Sequence, residues 1–378
     1  MKNNLYLFIS PHFKKCGESY VLNELTNELN ILDLPNSFKL LNTHGEFASS
    51  KNKIDFSIKI RPQFNILEKY LPWLNYRIYM VLIGILYIIF LPSFVNKLSY
   101  KYNKIYLITR MSFASISLSY LFMNKEKISL NSSFAGIPLN NLVRKIIWPL
   151  LFKNVNHVIL PTNDLASLVK KFTKKNNFTI LRNPVIAKNF NSQKKFNYRN
   201  FNPNKDCFKI ACVGRLSKQK GFDFLIKSIN KIDNCSVEIF GNGEDYEKLN
   251  NLINNLKLNK KIKLIGRVEN PWRLMDNHHL FVMPSRWEGP GHTAIEALNY
   301  GIPTLVSDCI AGPQDTVGYG RYGYIFNTDN FHSFQFQINY IMNNYAEAII
   351  KAKKGINHSK IYSSQIVAQS WLDFFKSI

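Results

Sequence analysis

The chain has 378 residues and a mass of 44.0 kDa, enough for two or three domains at roughly 100–200 residues each. It is 46% hydrophobic and 20% charged, which excludes a disordered or fibrous chain. The formal charge of +24 is unevenly spread: residues 1–200 hold 28 basic and 9 acidic side chains, residues 201–378 hold 21 and 16. The first half therefore carries the charge that seeks an anionic membrane, a nucleic acid or an acidic substrate.

The chain starts on a short apolar run over 1–10 that ends at Pro11. It lacks the small-residue cleavage site of a signal peptide and reads as a first buried strand. A helix is expected over 18–32. Residues 78–91 form an uncharged run of 14 between Arg77 and Pro92. As a helix it would be about 21 Å long, short of the roughly 30 Å of bilayer hydrocarbon. It reads either as a buried core helix or as a helix lying in a membrane interface, near Trp73, Tyr76, Tyr79, Lys97, Lys101 and Lys104, and the basic surroundings favour surface contact. Strands are expected over 104–108, 127–130 and 158–160, and a helix over 164–172. Residues 186–206, rich in Asn, Lys and Phe without a period, read as a linker.

Beyond that linker, strands over 209–213, 236–240, 261–265, 280–283 and 304–307 alternate with helices over 222–230, 244–256, 271–277 and 292–299. Alternation at this spacing predicts a parallel sheet with helices on both faces, and ligands then bind outside the carboxyl ends of the strands. The first half repeats the alternation less cleanly, so two doubly wound domains with a cleft between them are expected. Cys16, Cys207, Cys212, Cys235 and Cys309 form no C-x-x-C pair. That argues against a disulfide framework or a structural zinc and fits a reducing cytoplasm.

Chemistry concentrates at strand ends. The run Ser285-Arg-Trp-Glu-Gly-Pro-Gly-His-Thr-Ala-Ile-Glu296 follows a strand ending at Pro284 and leads into a helix. Gly289 and Gly291 permit close backbone approach to a ligand. Amides of His292, Thr293 and Ala294, with the helix dipole, offer an anion site. Glu288 in the loop and Glu296 one turn inside the helix cannot bind phosphate themselves. They suit sugar hydroxyls on either side of it. A capped helix with two solvated glutamates would look the same in isolation. Gly214-Arg215-Leu216-Ser217-Lys218-Gln219-Lys220-Gly221 follows another strand. There Arg215 offers a bidentate grip on phosphate and Lys220 a compact charge. Gly241-Asn242-Gly243, and the stretch from His12 to Gly17, are weaker signals of the same kind.

Together these residues resemble glycosyltransferase family 4, the retaining glycosyltransferases of the GT-B fold. The likeness rests on Gly214-Arg215…Lys220-Gly221, Gly241-Asn-Gly243, Gly266-Arg-Val268, Pro284-Ser285…Glu288-Gly289…Glu296-Ala297-Leu298 and Gly301-Ile-Pro303…Ser307-Asp308. It spans 209–326, with looser matches at Gly17-Glu18 and Asn183-Pro184-Val185. The resemblance implies an α/β architecture of two Rossmann-like doubly wound domains facing a central cleft. Residues 1–186 would bind the acceptor and 205–360 the nucleotide sugar, and a last helix within 361–378 would pack back on the first domain. Arg215 and Lys220 would hold the donor diphosphate and stabilise the leaving group. Glu288 would contact the donor sugar and Glu296 the ribose hydroxyls. Arg267 and Val268 would lie against the base. Gly214, Gly241 and the amides at Gly291, His292 and Thr293 would line the donor, and Gly17 would approach the diphosphate from the first domain. Two positions depart from the family pattern: Cys16-Gly17 stands where many members have Gly-Gly, and Asn131, Ser132 and Ser133 stand where many have a His.

The resemblance implies transfer of a hexose or N-acetylhexosamine from a nucleotide-diphosphate sugar, with UDP the favoured nucleotide, without metal or cofactor. Ser307-Asp308…Gly312-Pro313…Gly320-Arg-Tyr-Gly323 looks like a branch that handles galactose-type or N-acetylhexosamine donors. The basic first half and its apolar run point to a lipid-linked or cell-surface glycan acceptor, reached by an enzyme peripheral to the cytoplasmic face of an anionic membrane. Nucleic acid is not expected as a partner, because no recognition motif with interleaved aromatics accompanies the charge. A sugar-nucleotide epimerase or phosphorylase of the same architecture, a polyanion-binding protein and an inactive partner subunit remain as alternatives.

Overall fold

Apolar runs too short for helices become strands buried on both faces. In β1 (Leu5–Ile9) every residue is buried, the pattern of a parallel strand covered by helices above and below. The computed structural model describes residues 3–9, 17–33, 36–42, 56–57, 76–109, 113–133, 149, 152–173, 178–186, 196–198 and 201–378. The chain divides into two compact units. The first is Met1–Pro161, Ala166–Pro184 and Ser364–Ile378; the second is Thr162–Leu165 and Val185–Ser363.

The first unit continues with α1 (Gly17–Leu32), β2 (Ser37–Asn42), β3 (Phe56–Ser57), α2 (Tyr76–Leu98), β4 (Ile105–Thr109), α3 (Phe113–Ser119), β5 (Ile128–Ser133), β6 (His157–Leu160), α4 (Asn163–Thr173) and β7 (Phe178–Ile180). Its strands form one parallel sheet in the order β3-β2-β1-β4-β5-β6-β7. Leu22, Leu25 and Leu29 recur on one face of α1 and pack with Tyr6, Phe8 and Phe38. The far end of the chain closes this core. Trp371 and Phe375 set their rings 5.7 Å from Phe8 and 4.3 Å from Tyr6.

The apolar run at 78–91 lies inside the longer helix α2, which continues through Pro92 to Leu98. An interior proline removes a backbone hydrogen bond. Burial of Leu91, Val95 and Leu98 on either side of it offsets that loss. From residue 84 onward the helix buries Tyr87 on one side and leaves Ile85, Ile89 and Phe90 exposed on the other. It is thus both a core helix and an exposed apolar face. No helix among the described residues is long and apolar enough to cross a membrane.

The second unit runs β8 (Phe208–Val213), α5 (Phe222–Ile229), β9 (Cys235–Phe240), α6 (Tyr246–Asn255), β10 (Ile262–Gly266), a 3-10 turn (Pro271–Asn277), β11 (Leu280–Met283), α7 (His292–Tyr300), β12 (Thr304–Ser307), α8 (Pro313–Thr316), β13 (Tyr324–Phe326), α9 (Phe331–Asn343) and α10 (Tyr345–Ser359), before α11 (Ser364–Ser377) returns to the first unit. Its parallel sheet has the order β10-β9-β8-β11-β12-β13. Each strand alternates between two cores. Ile210, Val237 and Ile262 face one, while Ala211, Phe240 and Phe281 face the other with Trp272 and Leu298. The stretch read as a linker is a correction in part. Phe196 is buried in the second unit, its amide bonded to the Tyr300 carbonyl at 3.1 Å, because an aromatic in that stretch gains more from burial than a spacer would.

Candidate active site

The order of the second sheet places a switch point between β8 and β11. The chain builds outward through β9 to β10, then returns to the other side of β8. In an open α/β sheet the crevice outside the carboxyl ends of two such strands is where ligands bind. Residues 214–221 leave β8 and residues 284–291 leave β11 at that crevice. The two loops are tied to each other. The Arg286 amide donates to the Gln219 carbonyl at 2.8 Å, and Gln219 Nε2 donates to the Trp287 carbonyl at 2.9 Å. The Arg286 guanidinium donates through Nη1 and Nη2 to Asp223 at 2.7 and 2.9 Å, through Nη1 to the Lys218 carbonyl at 3.0 Å, and through Nε to Asp329 at 2.8 Å. Burial alone would raise the Asp223 carboxyl; its bonds and charge pairing with Arg286 outweigh that and lower it. The Asp223 hydrogen bonds likewise push the guanidinium up, so the latch stays charged.

The loops after β9 and β10 join the same assembly. Gly214 N–H donates to the Phe240 carbonyl at 3.0 Å, Leu216 N–H to Asn242 at 3.1 Å, and Gly241 N–H to Gly266 at 2.8 Å. A side chain at Gly241 would collide with the Gly214 carbonyl, so it is Gly241 that lets these turns lie flat on one another.

The stem of Lys220 lies over Gly214, where a Cβ would meet its Cδ at 3.4 Å. Its Nζ forms an ion pair with Glu288 Oε1, which also accepts from Ser285 Oγ at 2.8 Å. Glu296 lies in α7 among buried apolar neighbours and accepts from Trp272 Nε1 at 3.2 Å. Burial pushes its carboxyl up to about 7, against the opposing pull of that hydrogen bond and of the Lys220 charge. Lys220, Glu288 and Glu296 are thus gathered at the switch point. Arg215 stands beside them, exposed and without a side-chain partner among the described residues.

Other expected residues fall as follows. Gly291 caps α7 with a φ of 73°, and Thr293 Oγ1 lies 3.5 Å from Met283 Sδ. His292 is the first residue of α7. The Ala294 amide is a correction: it donates to the Gly291 carbonyl at 2.9 Å, because the first turn closes tightly, and so it is not offered to a ligand. Arg267 is exposed and Val268 packs beside the Phe240–Trp272 core. Gly17 begins α1 in the first unit, and residues 10–16, which hold most of the His12–Gly17 stretch, lie outside the described residues. Asn131, Ser132 and Ser133 close β5, and the Asn131 side chain is buried there without a hydrogen-bond partner among the described residues.

Three contributors escape a reading of the sequence. Arg286 finds its carboxylates 63 and 43 positions away, and Trp272 precedes Glu296 by 24. Ser285 sits inside the recognised motif but looks like a turn residue. The one available signal was Glu296 itself, a carboxylate on a helix whose neighbours Ala294, Ile295, Ala297 and Leu298 are all apolar.

Comparison with known proteins agrees with this geometry. Residues 193–356 match the family described as glycosyl transferases group 1. The uncharacterized glycosyltransferase MJ1059 of Methanocaldococcus jannaschii is 30% identical over 275 residues, covering 61% of this chain and 67% of that protein. The O-antigen biosynthesis glycosyltransferase WclY of Escherichia coli is 32% identical over 174 residues, 44% of this chain and 48% of its own. In fold, the Anabaena protein Alr3699/HepE, solved with UDP and glucose, superposes with a TM-score of 0.71 over 99% of this chain and 100% of that one at 16% identity. Both units therefore have the GT-B architecture, and the Gly214–Gly221 and Glu288–Glu296 segments that meet at the switch point lie within the matched region. By sequence, the chain belongs to the group 1 glycosyl transferases.

Proposed function

We propose that the protein is a retaining, metal-independent hexosyltransferase of glycosyltransferase family 4, moving a hexose or N-acetylhexosamine from a UDP-sugar to a lipid-linked or cell-surface glycan. The observation that carries this reading is the convergence of Lys220, Glu288 and Glu296 beside Arg215, which has no side-chain partner among the described residues. Breaking the sugar C1–O bond leaves negative charge on the diphosphate and positive charge on the sugar. Preorganised donors aimed at the departing phosphate are the economical answer. Arg215, Lys220 and the amides opening α7 supply them, Glu288 orients the sugar, and Glu296 accepts from the ribose hydroxyls. The acceptor hydroxyl attacks C1 from the leaving-group face and passes its proton to the departing diphosphate oxygen, which preserves configuration and calls for no protein base. The UDP bound in Alr3699/HepE supports the choice of nucleotide, and the O-antigen role in WclY's name supports a surface glycan.

Thermal melting with nucleotide sugars tests the donor site. At about 100 times its dissociation constant a UDP-sugar should stabilise the chain by about 2.7 kcal/mol, whereas GDP- and ADP-sugars should not. Glu296 adds a pH signature. Its carboxyl is largely neutral below about 7 and ionised above, and an ionised oxygen is the better acceptor from ribose. The UDP-glucose shift should therefore grow between pH 6 and pH 8, a range in which that ligand's diphosphate does not titrate, and Glu296→Gln should flatten the trend. No shift with any UDP-sugar would refute the donor assignment.

The membrane part of the proposal rests on α2. Ile85 and Ile89 lie four residues apart on one exposed face, Phe90 adjoins them, and Lys97 continues the same stripe. Leu121 and Phe122 are also exposed, and the Asn96 side chain binds the Phe122 carbonyl at 3.2 Å. An apolar face bordered by cations suits an anionic interface, at about 1 kcal/mol per well-placed charge. Partitioning to phosphatidylglycerol vesicles should fall steeply from low to high salt and weaken in Ile89→Glu. Equal partitioning at both salt concentrations would dismiss the contact.

A further inference from the structure

The second sheet carries a polar recess at the opposite end from the donor crevice. Strand register sets it up. Lys209 of β8 pairs with Ser236 of β9, and Glu238 of β9 pairs with Lys263 of β10. Their neighbours Ile210, Val237 and Ile262 turn into the core beneath α5 and α6. Lys209, Ser236, Glu238, Lys261 and Lys263 therefore share the other face. On that face the link from β10 to β11 is only the seven-residue 3-10 turn, Pro271–Asn277. A full crossover helix would have covered this corner with apolar side chains. The short turn leaves a recess of about 510 Å³.

The lining is strongly one-signed. Lys209, Lys260, Lys261 and Lys263 line it together with a single carboxylate, Glu238. That carboxylate is already engaged by the buried His278, whose Nε2 lies 3.2 Å away. Lys261 Nζ is anchored on the Ile232 carbonyl, while Lys209, Lys260 and Lys263 form no ion pair among the described residues. Clustering like charges around a concavity costs free energy unless an anion relieves it. A Lys ammonium is a compact donor well matched to phosphate oxygen. At about 510 Å³ the recess has room for one or two phosphate groups with part of a sugar. It lies at the amino-terminal ends of the strands, about 13 Å along β8 from the loops of the donor site.

We propose that this recess is a second, anion-selective site that takes a phosphate group carried on a glycan or a lipid headgroup. It is independent of the donor site, and its occupant reaches it without passing the switch-point crevice.

Calorimetric titration of the full chain with inorganic tripolyphosphate tests the site, using the wild type, Arg215→Ala, the double variant Lys209→Gln/Lys263→Gln and the two combined. Arg215→Ala removes the strongest competing anion ligand of the donor crevice. Binding should persist in Arg215→Ala and weaken at least tenfold when Lys209→Gln/Lys263→Gln is added to Arg215→Ala, while the double variant alone keeps its wild-type melting temperature and UDP-sugar shift. Equal affinity in Arg215→Ala with and without the two lysine substitutions would overturn the site, as would complete loss of binding in Arg215→Ala. Vesicles containing phosphatidylinositol phosphate, set against soluble glucose 1-phosphate, separate the two carriers. Whichever loses affinity in the double variant is the source of the phosphate, and loss with neither rejects the proposal.

Discussion

Replacing Arg215 with alanine should lower turnover by about a hundredfold or more, the scale of losing one preorganised donor to a developing charge. The residue is exposed and engages no other side chain among the described residues, so the melting temperature should stay put on its removal. That separates it from Lys220, which is already paired with Glu288. A diphosphate arriving at Lys220 competes with a resident carboxylate, whereas at Arg215 it meets an uncommitted guanidinium. The loss should therefore fall mainly on kcat, because the charge on the departing diphosphate is larger in the transition state than in the bound donor. Arg215→Lys should recover only part of the rate, since a point charge replaces a planar fork that grips two oxygens. Initial rates with a UDP-sugar and a glycan acceptor decide the matter. A kcat within a few-fold of wild type would remove Arg215 from the catalytic role.

The second unit was more legible than the first for a physical reason. Strands such as Leu280–Met283 and Thr304–Ser307 are fully buried and bounded by Gly, Pro or Ser, so an apolar run with punctuation marks each one. In the first unit β2 carries Ser37, Lys39 and Asn42 among its apolar residues, and the Asn- and Lys-rich composition blurs its period. Helix α10 was not read from the sequence; its mid-helix Gly355 lets Leu298 of α7 approach where a Cβ would meet Leu298 Cδ2 at 2.9 Å. The helix survives because that packing repays the glycine's cost.

The candidate site divides along the same line. Residues that act through backbone shape or local order, such as Gly214, Gly241, Gly291 and the Glu288–Glu296 spacing, can be read from the sequence because loop and helix geometry are local. Arg286 and Trp272 act across the sheet. Their partners become neighbours only once β8 and β11 lie side by side, and nothing in the spacing of one strand announces the other.

That dependence on apposed loops yields the second large effect. Gly221→Ala should cut turnover by about a hundredfold, the loss that follows from displacing a catalytic group by roughly 1 Å. Gly221 has a φ of +68° and caps α5 immediately after Lys220. A Cβ there would collide with the Pro284 carbonyl oxygen, so the loop must lift off the end of β11. Lifting it breaks the Arg286–Gln219 and Gln219–Trp287 hydrogen bonds and carries Lys220 away from Glu288. Positive φ alone costs an alanine about 1–2 kcal/mol, and Gly320→Ala isolates that cost: its φ is +93° but a Cβ there meets nothing within 4 Å. Gly320→Ala should lose stability and keep its turnover, whereas Gly221→Ala should lose both. Matched turnover in the two variants would mean that the contact between the loops does not position Lys220, and that the chemistry draws on Arg215 and the opening of α7 alone.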